Sequence, residues 1–264
     1  MYKLIDNIRS GRLSLGTMAK GGPNMVQHVA SAGLDFLIVD MMHSSVDWTE
    51  LSHVAWKARA EGLYPFVRLP ANPWGSGSVV ADRRFPVDAE RAFACGAEGL
   101  VWSVASAADA RLMAHMARDP HVGMPVTDAG QQARATEQAV GVRLLLPLVE
   151  SLGALDEVEE ILAIEGISGV FIGCSDLAQV LGHPLDYLHP DVLGAIERVC
   201  IAAHARGKVV LANTGYAFPS IEGQIAHARA LEKAGVDLIM LQTVEFHVYV
   251  MTRSIAAGLR GVRS

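Results

Sequence analysis

Charge is scarce in this chain. Asp, Glu, Lys and Arg make up 19% of its 264 residues, with few Lys among them, while hydrophobic types make up 51%. Such a composition supplies ample core and suits a parallel α/β domain, or one that buries further surface in a homo-oligomer. The basic residues are scattered and the formal net charge is −6, which argues against a nucleic-acid partner. No apolar run reaches the roughly 18 residues that a membrane span needs, so no membrane partner is expected. Cysteine is sparse: Cys95, Cys174 and Cys200 show neither CxxC nor zinc spacing. That odd set, with an amphipathic and charged start (Met1 to Arg9) in place of a secretory apolar core, predicts a reducing, cytoplasmic setting. No Gly-x-Gly-x-x-Gly follows the first apolar run, which weighs against a dinucleotide-binding open sheet. Linkers and low-complexity stretches are also missing, so a single domain over 1–264 is expected.

Short apolar runs, by contrast, recur along the whole chain. Eight of them read as strands: Leu13–Met18, Asp35–Asp40, Tyr64–Pro70, Gly99–Val104, Val142–Glu150, Gly169–Cys174, Lys208–Asn213 and Asp237–Gln242. Segments of helical periodicity alternate with them, among them 24–32, 48–61, 87–94, 107–118, 154–163, 176–181, 190–206, 221–234 and 245–258. Several end on Gly, as αβ connections do. Eight such units over about 250 residues predict a (β/α)8 TIM barrel, with a doubly wound open sheet as the alternative. Residues 71–77 form a Gly/Ser/Pro-rich loop. Residues 119–140 are the least regular, with a helical pattern over Gln131–Val140.

In such a barrel the chemistry lies at the C-terminal ends of the strands. Polar residues collect there: Asp40 and His43 after the second run, Arg68 on the third, Glu150 closing the fifth, Ser175 and Asp176 after the sixth, and Asn213 and Thr214 at the seventh. Asp176 alone reads either as the N-cap of the helix that follows or as a metal ligand. Glu150 beside it favours the second, because paired carboxylates suit Mg²⁺ or Mn²⁺. Arg68 offers a planar fork for a carboxylate or a developing oxyanion. His43 can carry a proton near neutral pH with Asp40 orienting it; a core histidine or a loop hydrogen-bonder is the competing reading.

The segments Gly33-Leu-Asp-Phe-Leu-Ile-Val-Asp40-Met-Met-His43, Val67-Arg68, Val149-Glu150 and Val170-Phe-Ile-Gly-Cys-Ser-Asp176-Leu resemble the HpcH/HpaI aldolases, metal-dependent class II pyruvate aldolases. The resemblance spans nearly the whole chain and is most specific in the Glu150–Asp176 pair. It implies a TIM barrel with the last helix swapped between subunits of a hexamer or trimer. It implies that Glu150 and Asp176 hold a divalent ion, Mg²⁺ or Mn²⁺ with Co²⁺ as a further alternative, which a 2-oxoacid chelates. The substrate carboxylate would meet backbone N–H groups near Ser175 and Asp176, Arg68 would stabilise the enolate, and His43 with Asp40 would move the proton. The implied reaction is cleavage or formation of 4-hydroxy-2-oxoacids from a pyruvate-type enolate and an aldehyde. A citrate-synthase-like condensation, a decarboxylation and a non-catalytic 2-oxoacid-binding barrel are the alternatives.

Several positions depart from the family's pattern. Met42 stands where a Glu usually precedes the His, Leu148 where a Gln is common, and Ala94 where an acidic residue is frequent. The stretch Ala71–Pro86 is longer than usual, and 119–140 replace a Gly-x-Arg-Gly motif. Asp82, Arg83 and Arg84 in the insert are candidates for the missing polar contacts, or else a solvated loop.

Overall fold

The computed structural model describes residues 2–70, 85–117, 143–216, 218 and 220–260. Its eight strands are β1 (Ser14–Ala19), β2 (Phe36–Asp40), β3 (Tyr64–Arg68), β4 (Gly99–Val104), β5 (Leu144–Val149), β6 (Gly169–Ile172), β7 (Val209–Asn213) and β8 (Leu238–Leu241). They pair in sequence order, all parallel, and β8 closes on β1 to complete the barrel. Around them lie eleven helices among the described residues: α1 (Lys3–Arg9), α2 (Asn24–Ser31), α3 (Trp48–Ala60), α4 (Phe85–Ala94), α5 (Ala107–Ala117), α6 (Leu152–Asp156), α7 (Val158–Ala163), α8 (Cys174–Val180), α9 (Pro190–His204), α10 (Ile221–Lys233) and α11 (Val244–Arg260). The expected TIM barrel is therefore the observed fold. The insert with Asp82, Arg83 and Arg84, and the helical pattern over Gln131–Val140, lie outside the described residues.

Side chains alternate along each strand, so each strand serves two cores. Phe36, Ile38, Phe66, Val101, Leu146, Leu148, Phe171, Leu211 and Met240 fill the barrel interior. The intervening residues, such as Leu37, Val39, Leu100, Val149, Val170 and Ile239, pack outward under the helices. Two glycines make room for the interior rings. A Cβ on Gly16 would fall 2.2 Å from Phe36, and one on Gly99 2.3 Å from Phe66. Leu4 and Ile5 of α1 join the interior cluster, as a plug across one end of it.

Polar residues next to the apolar runs set several helix starts. Asp47 accepts from Glu50 N at 2.8 Å and starts α3, and Ser220 does the same for α10. Ser151 starts α6 two residues before the apolar pattern begins. The single helix expected over 154–163 is in fact two, divided at Glu157. That side chain accepts from the Ala107 backbone at 2.7 Å and so satisfies the first turn of α5.

Candidate active site at the barrel mouth

The inward phase of each strand continues past its last apolar residue. It carries Lys20, Asp40, Arg68, Ser103, Glu150, Gly173, Asn213 and Gln242 to one end of the barrel. All are in step with interior positions such as Met18, Ile38, Phe66, Val101, Leu148, Phe171, Leu211 and Met240. The β2–β3 register sets Asp40 directly opposite Arg68.

Asp40 and Arg68 form a forked ion pair. Arg68 Nε donates to Asp40 Oδ1 at 3.0 Å and Nη2 to Oδ2 at 2.7 Å, and the carboxylate is wholly buried. Oδ1 also accepts from the backbone N–H of Met42 at 3.0 Å and of His43 at 3.1 Å. The Ser44 hydroxyl donates to the Asp40 carbonyl and so curls the segment back on the strand end. Burial alone would raise the Asp40 pKa. The Arg68 hydrogen bonds and charge, with the two backbone N–H groups, outweigh it and hold the carboxyl below its usual range. The expectation that Asp40 orients the His43 ring needs correction. Asp40 grips the backbone of His43, and among the described residues no hydrogen bond joins the carboxylate to the imidazole. Its four donors already occupy both oxygens.

His43 itself is exposed at this rim. Its pKa is lowered, first by desolvation and then by the Arg68 charge; Asp40 opposes this, Lys20 adds to it and Asp176 opposes it. The imidazole is therefore neutral at neutral pH and able to accept a proton. Tyr216, in the connection after β7, lies in the same field: burial raises its pKa, with Arg68 lowering it and Asp40 raising it.

Glu150 stands just past β5. Ser103 Oγ donates to Glu150 Oε1 at 2.7 Å. A Cβ on Gly173 would lie 3.3 Å from Glu150 Oε2, so that glycine keeps the space beside the carboxylate open. Desolvation raises the Glu150 pKa, Ser103 lowers it, the Asp176 charge raises it and Arg68 lowers it. Asp176 is not the N-cap of the helix after β6. The cap position is Gly173 without a side-chain cap, α8 begins at Cys174, and Asp176 sits within the first turn. The N–H of Cys174 is met instead by Asn213 Oδ1 at 3.0 Å, so Asn213 braces the start of α8 from β7. Ser175 Oγ is buried and has no hydrogen-bond partner among the described residues. A partly buried Glu150 whose charged form is disfavoured by burial and by the Asp176 charge, with the Ser175 hydroxyl left without a partner among the described residues, fits a hard divalent cation.

Reading the sequence alone missed Ser103, Lys20 and Tyr216. Ser103 had a signal: it occupies the inward phase of Gly99-Leu-Val-Trp-Ser-Val, two residues past Val101. Lys20 had the same signal, two residues past Met18, whereas Tyr216 had none, since it belongs to the connection after β7.

Comparison with known proteins finds one family model and several relatives. The family model described as HpcH/HpaI aldolase/citrate lyase matches residues 18–243. The hydroxypyruvate/pyruvate aldolase of Roseovarius nubinhibens is 34% identical over 220 residues, which cover 77% of this chain and 80% of that protein. The hydroxypyruvate/pyruvate aldolase of Rhizorhabdus wittichii is 29% identical over 97% of this chain and 100% of its own. Among solved structures, an HpcH/HpaI aldolase/citrate lyase family protein from Burkholderia cenocepacia superposes with a TM-score of 0.78 at 27% identity, covering 99% of this chain and 100% of that one.

Proposed function

The chain belongs to the HpcH/HpaI aldolase/citrate lyase family and is an aldolase/lyase enzyme of that class, and from that premise we propose that it is a divalent-metal-dependent aldolase cleaving and forming 4-hydroxy-2-oxoacids through a pyruvate-type enolate. The observation that carries this reading is the Glu150–Asp176 pair at the mouth, where burial and the Asp176 charge both raise the Glu150 pKa. Glu150 and Asp176 would hold Mg²⁺ or Mn²⁺. When bound, such an ion polarises a keto group and stabilises negative charge on its oxygen. Ser175 and the first turn of α8 would take the substrate carboxylate.

The remaining work falls to the chain's own side chains. Two of the Arg68 N–H groups are committed to Asp40, and the rest of the guanidinium is left for an oxyanion. Asp40 is thus a positioning group for Arg68. Neutral His43 would take the proton from the hydroxyl whose carbon is cleaved and return it to the enolate carbon. Membership in a class of enzymes favours turnover over the non-catalytic binding barrel. The test is metal-dependent exchange of the pyruvate methyl protons, followed by NMR in D2O. Glu150→Gln, Asp176→Asn and Arg68→Ala should each lose exchange and aldol cleavage together, with about 10²–10³-fold loss for Arg68→Ala as for a single oxyanion donor. Full exchange after exhaustive chelation sinks the metal reading. A panel of aldehydes and acyl-CoAs then separates cleavage from condensation.

The same reading covers assembly. α11 exposes Val248, Tyr249, Met251, Ile255 and Leu259. A cavity of about 670 Å³ opens between α10, α11 and the outer face of β1 and β8, lined by Leu13, Leu15, Ile225, Leu241 and Phe246 among others. An apolar face of this kind supports a homo-oligomer, trimer or hexamer, in which α11 swaps between subunits. Deleting residues 245–264 should break assembly, and a wild-type protein that sediments as a monomer at micromolar concentration contradicts it. No helix among the described residues is long and apolar enough to cross a membrane.

A further inference from the structure

Away from the carboxylate pair, three side chains with metal-binding atoms meet in the connection between α8 and α9. The segment Gly182-His-Pro-Leu-Asp-Tyr-Leu-His189 folds back through two turns. His183 N–H donates to Ala178 O at 2.8 Å, Asp186 N–H to His183 O at 3.0 Å and His189 N–H to Asp186 O at 3.2 Å. The folding stacks the His183 and His189 rings, with centroids 3.4 Å apart and planes 14° from parallel. Asp191, in the first turn of α9, reaches both. Its Oδ2 lies 3.0 Å from His183 Nε2 and 3.6 Å from His189 Nδ1.

We propose that His183, His189 and Asp191 form a second cation site, for Zn²⁺ or a neighbouring late first-row divalent ion, which ties the loop after α8 to the start of α9. The three ligand atoms all lie within 4.8 Å of one another. A tetrahedral ion with bonds of about 2.0–2.1 Å needs ligand atoms about 3.3 Å apart. The observed 3.0 and 3.6 Å bracket that spacing. Two imidazole nitrogens and one carboxylate oxygen are a borderline-soft donor set, which selects Zn²⁺, Ni²⁺ or Cu²⁺; Glu150 and Asp176 offer only hard oxygen. The side chains are 25%, 31% and 70% exposed, so an ion can enter and water can complete its shell.

Helix capping accounts for only part of the arrangement. His189 Nδ1 accepts from Asp191 N–H at 3.2 Å, an N-cap bond. That bond does not explain the His183 ring stacked on His189; the 3.0 Å contact of His183 Nε2 with Asp191 Oδ2 is a hydrogen bond, which an ion bound between the two atoms would replace. On binding, the rings tilt and the Nδ1 lone pair passes from the N–H to the ion. The released N–H lies in a first turn, where water can meet it. Because α8 also carries Ser175 and Asp176, the tie would anchor the far end of the helix that serves the mouth.

The test separates the two sites by variant. Metal-free Glu150→Gln/Asp176→Asn protein is titrated with ZnCl2 against a competing chromophoric chelator. One equivalent of Zn²⁺ should still bind. Adding His183→Asn or Asp191→Asn should weaken it by at least about 100-fold, the upper end of the loss caused by removing even an outer partner of a metal ligand. His189→Asn should do the same while keeping the helix cap, since Asn is a favoured cap residue. Circular dichroism checks that each variant is folded, and the loss of visible Co²⁺ absorption gives a second readout. No Zn²⁺ bound by the double variant, or an affinity unchanged by His183→Asn, overturns the proposal. Neither result bears on the proposed role of Glu150 and Asp176.

Discussion

Replacing Asp40 by Asn should cost far more than its near-identical shape suggests. Four N–H donors converge on the Asp40 carboxylate: Arg68 Nε at 3.0 Å, Arg68 Nη2 at 2.7 Å, Met42 N at 3.0 Å and His43 N at 3.1 Å. An Asn side chain has one oxygen. Placed on the Oδ1 side it can still meet three of the donors, but its NH2 then faces the fourth, Arg68 Nη2. Removing one partner of a buried ion pair costs about 3–5 kcal/mol. The Arg68 side chain is 14% exposed, so water recovers part of the loss and about 3 kcal/mol is expected. Equilibrium urea unfolding at pH 7 measures it.

The pH dependence of that difference supplies the control. The folded-state pKa of Asp40 is depressed, so its contribution is fully present above the unfolded value of about 3.9 and is lost as pH falls through the folded value. The gap between wild type and Asp40→Asn should therefore stay constant from neutral pH to about pH 5 and close only in more acid solution. Two outcomes refute the reasoning. A variant within about 1 kcal/mol of wild type at pH 7 means the fork contributes no more than an ordinary hydrogen bond. A gap that persists unchanged into strong acid means the charge on Asp40 is not its source.

Ser103→Ala removes the 2.7 Å hydrogen bond that lowers the Glu150 pKa. With that bond lost, the acid limb of Mn²⁺ binding should move to higher pH; an unmoved limb rules the contact out as significant. In His43→Ala, turnover should fall by about 10²–10⁴-fold, as for a lost general base. It should also lose a limb that in wild type lies below the usual histidine range, because burial and Arg68 depress that pKa. A variant that keeps both the rate and the profile shows that His43 is not the proton carrier.

The strands and the barrel were legible in the sequence because each strand is a short, largely apolar run and several of the helices between them end on Gly, a pattern that leaves few other folds open. Most strand boundaries fall within one or two residues of the expected ones. The contents of the mouth were legible for a related reason: a charged residue at the end of a buried run has only the rim to occupy. Partnerships across the mouth were not. Asp40 and His43 are close in sequence, which suggested an acid–imidazole pair. The β2–β3 register, a long-range property, gives Asp40 to Arg68 instead. Asp176 on its own read as a cap or a metal ligand, and what the sequence could not show is that the acceptor for the first N–H of its helix comes from Asn213, on the next strand around the barrel. Local sequence carries no trace of either contact.

Leu148 shows how a departure from the resembled family can be absorbed in three dimensions. A Gln is common there in that family, two residues before the position of Glu150, the proposed metal ligand, and therefore on the same inward face. Leu148 is buried in the interior cluster and offers Glu150 no hydrogen bond, and its side chain lies 3.4 Å from where a Gly173 Cβ would stand. An apolar floor under a carboxylate favours the protonated form and so opposes cation binding. The adjacent strand corrects for this. In the β4–β5 register Ser103 pairs with Leu148, and its hydroxyl reaches up to Glu150 Oε1 at 2.7 Å. The polar contact missing from β5 is thus supplied from β4, by a residue too small and too weakly polar to stand out in a run of Leu, Val and Trp. This makes Ser103→Ala the variant that separates the two accounts of Leu148. If Ser103 substitutes for the missing amide, the Ser103→Ala loss should be recovered in part by Leu148→Gln, measured as Mn²⁺ affinity at fixed pH. If the two substitutions simply add, Leu148 is only core, and the Ser103 contact has another origin.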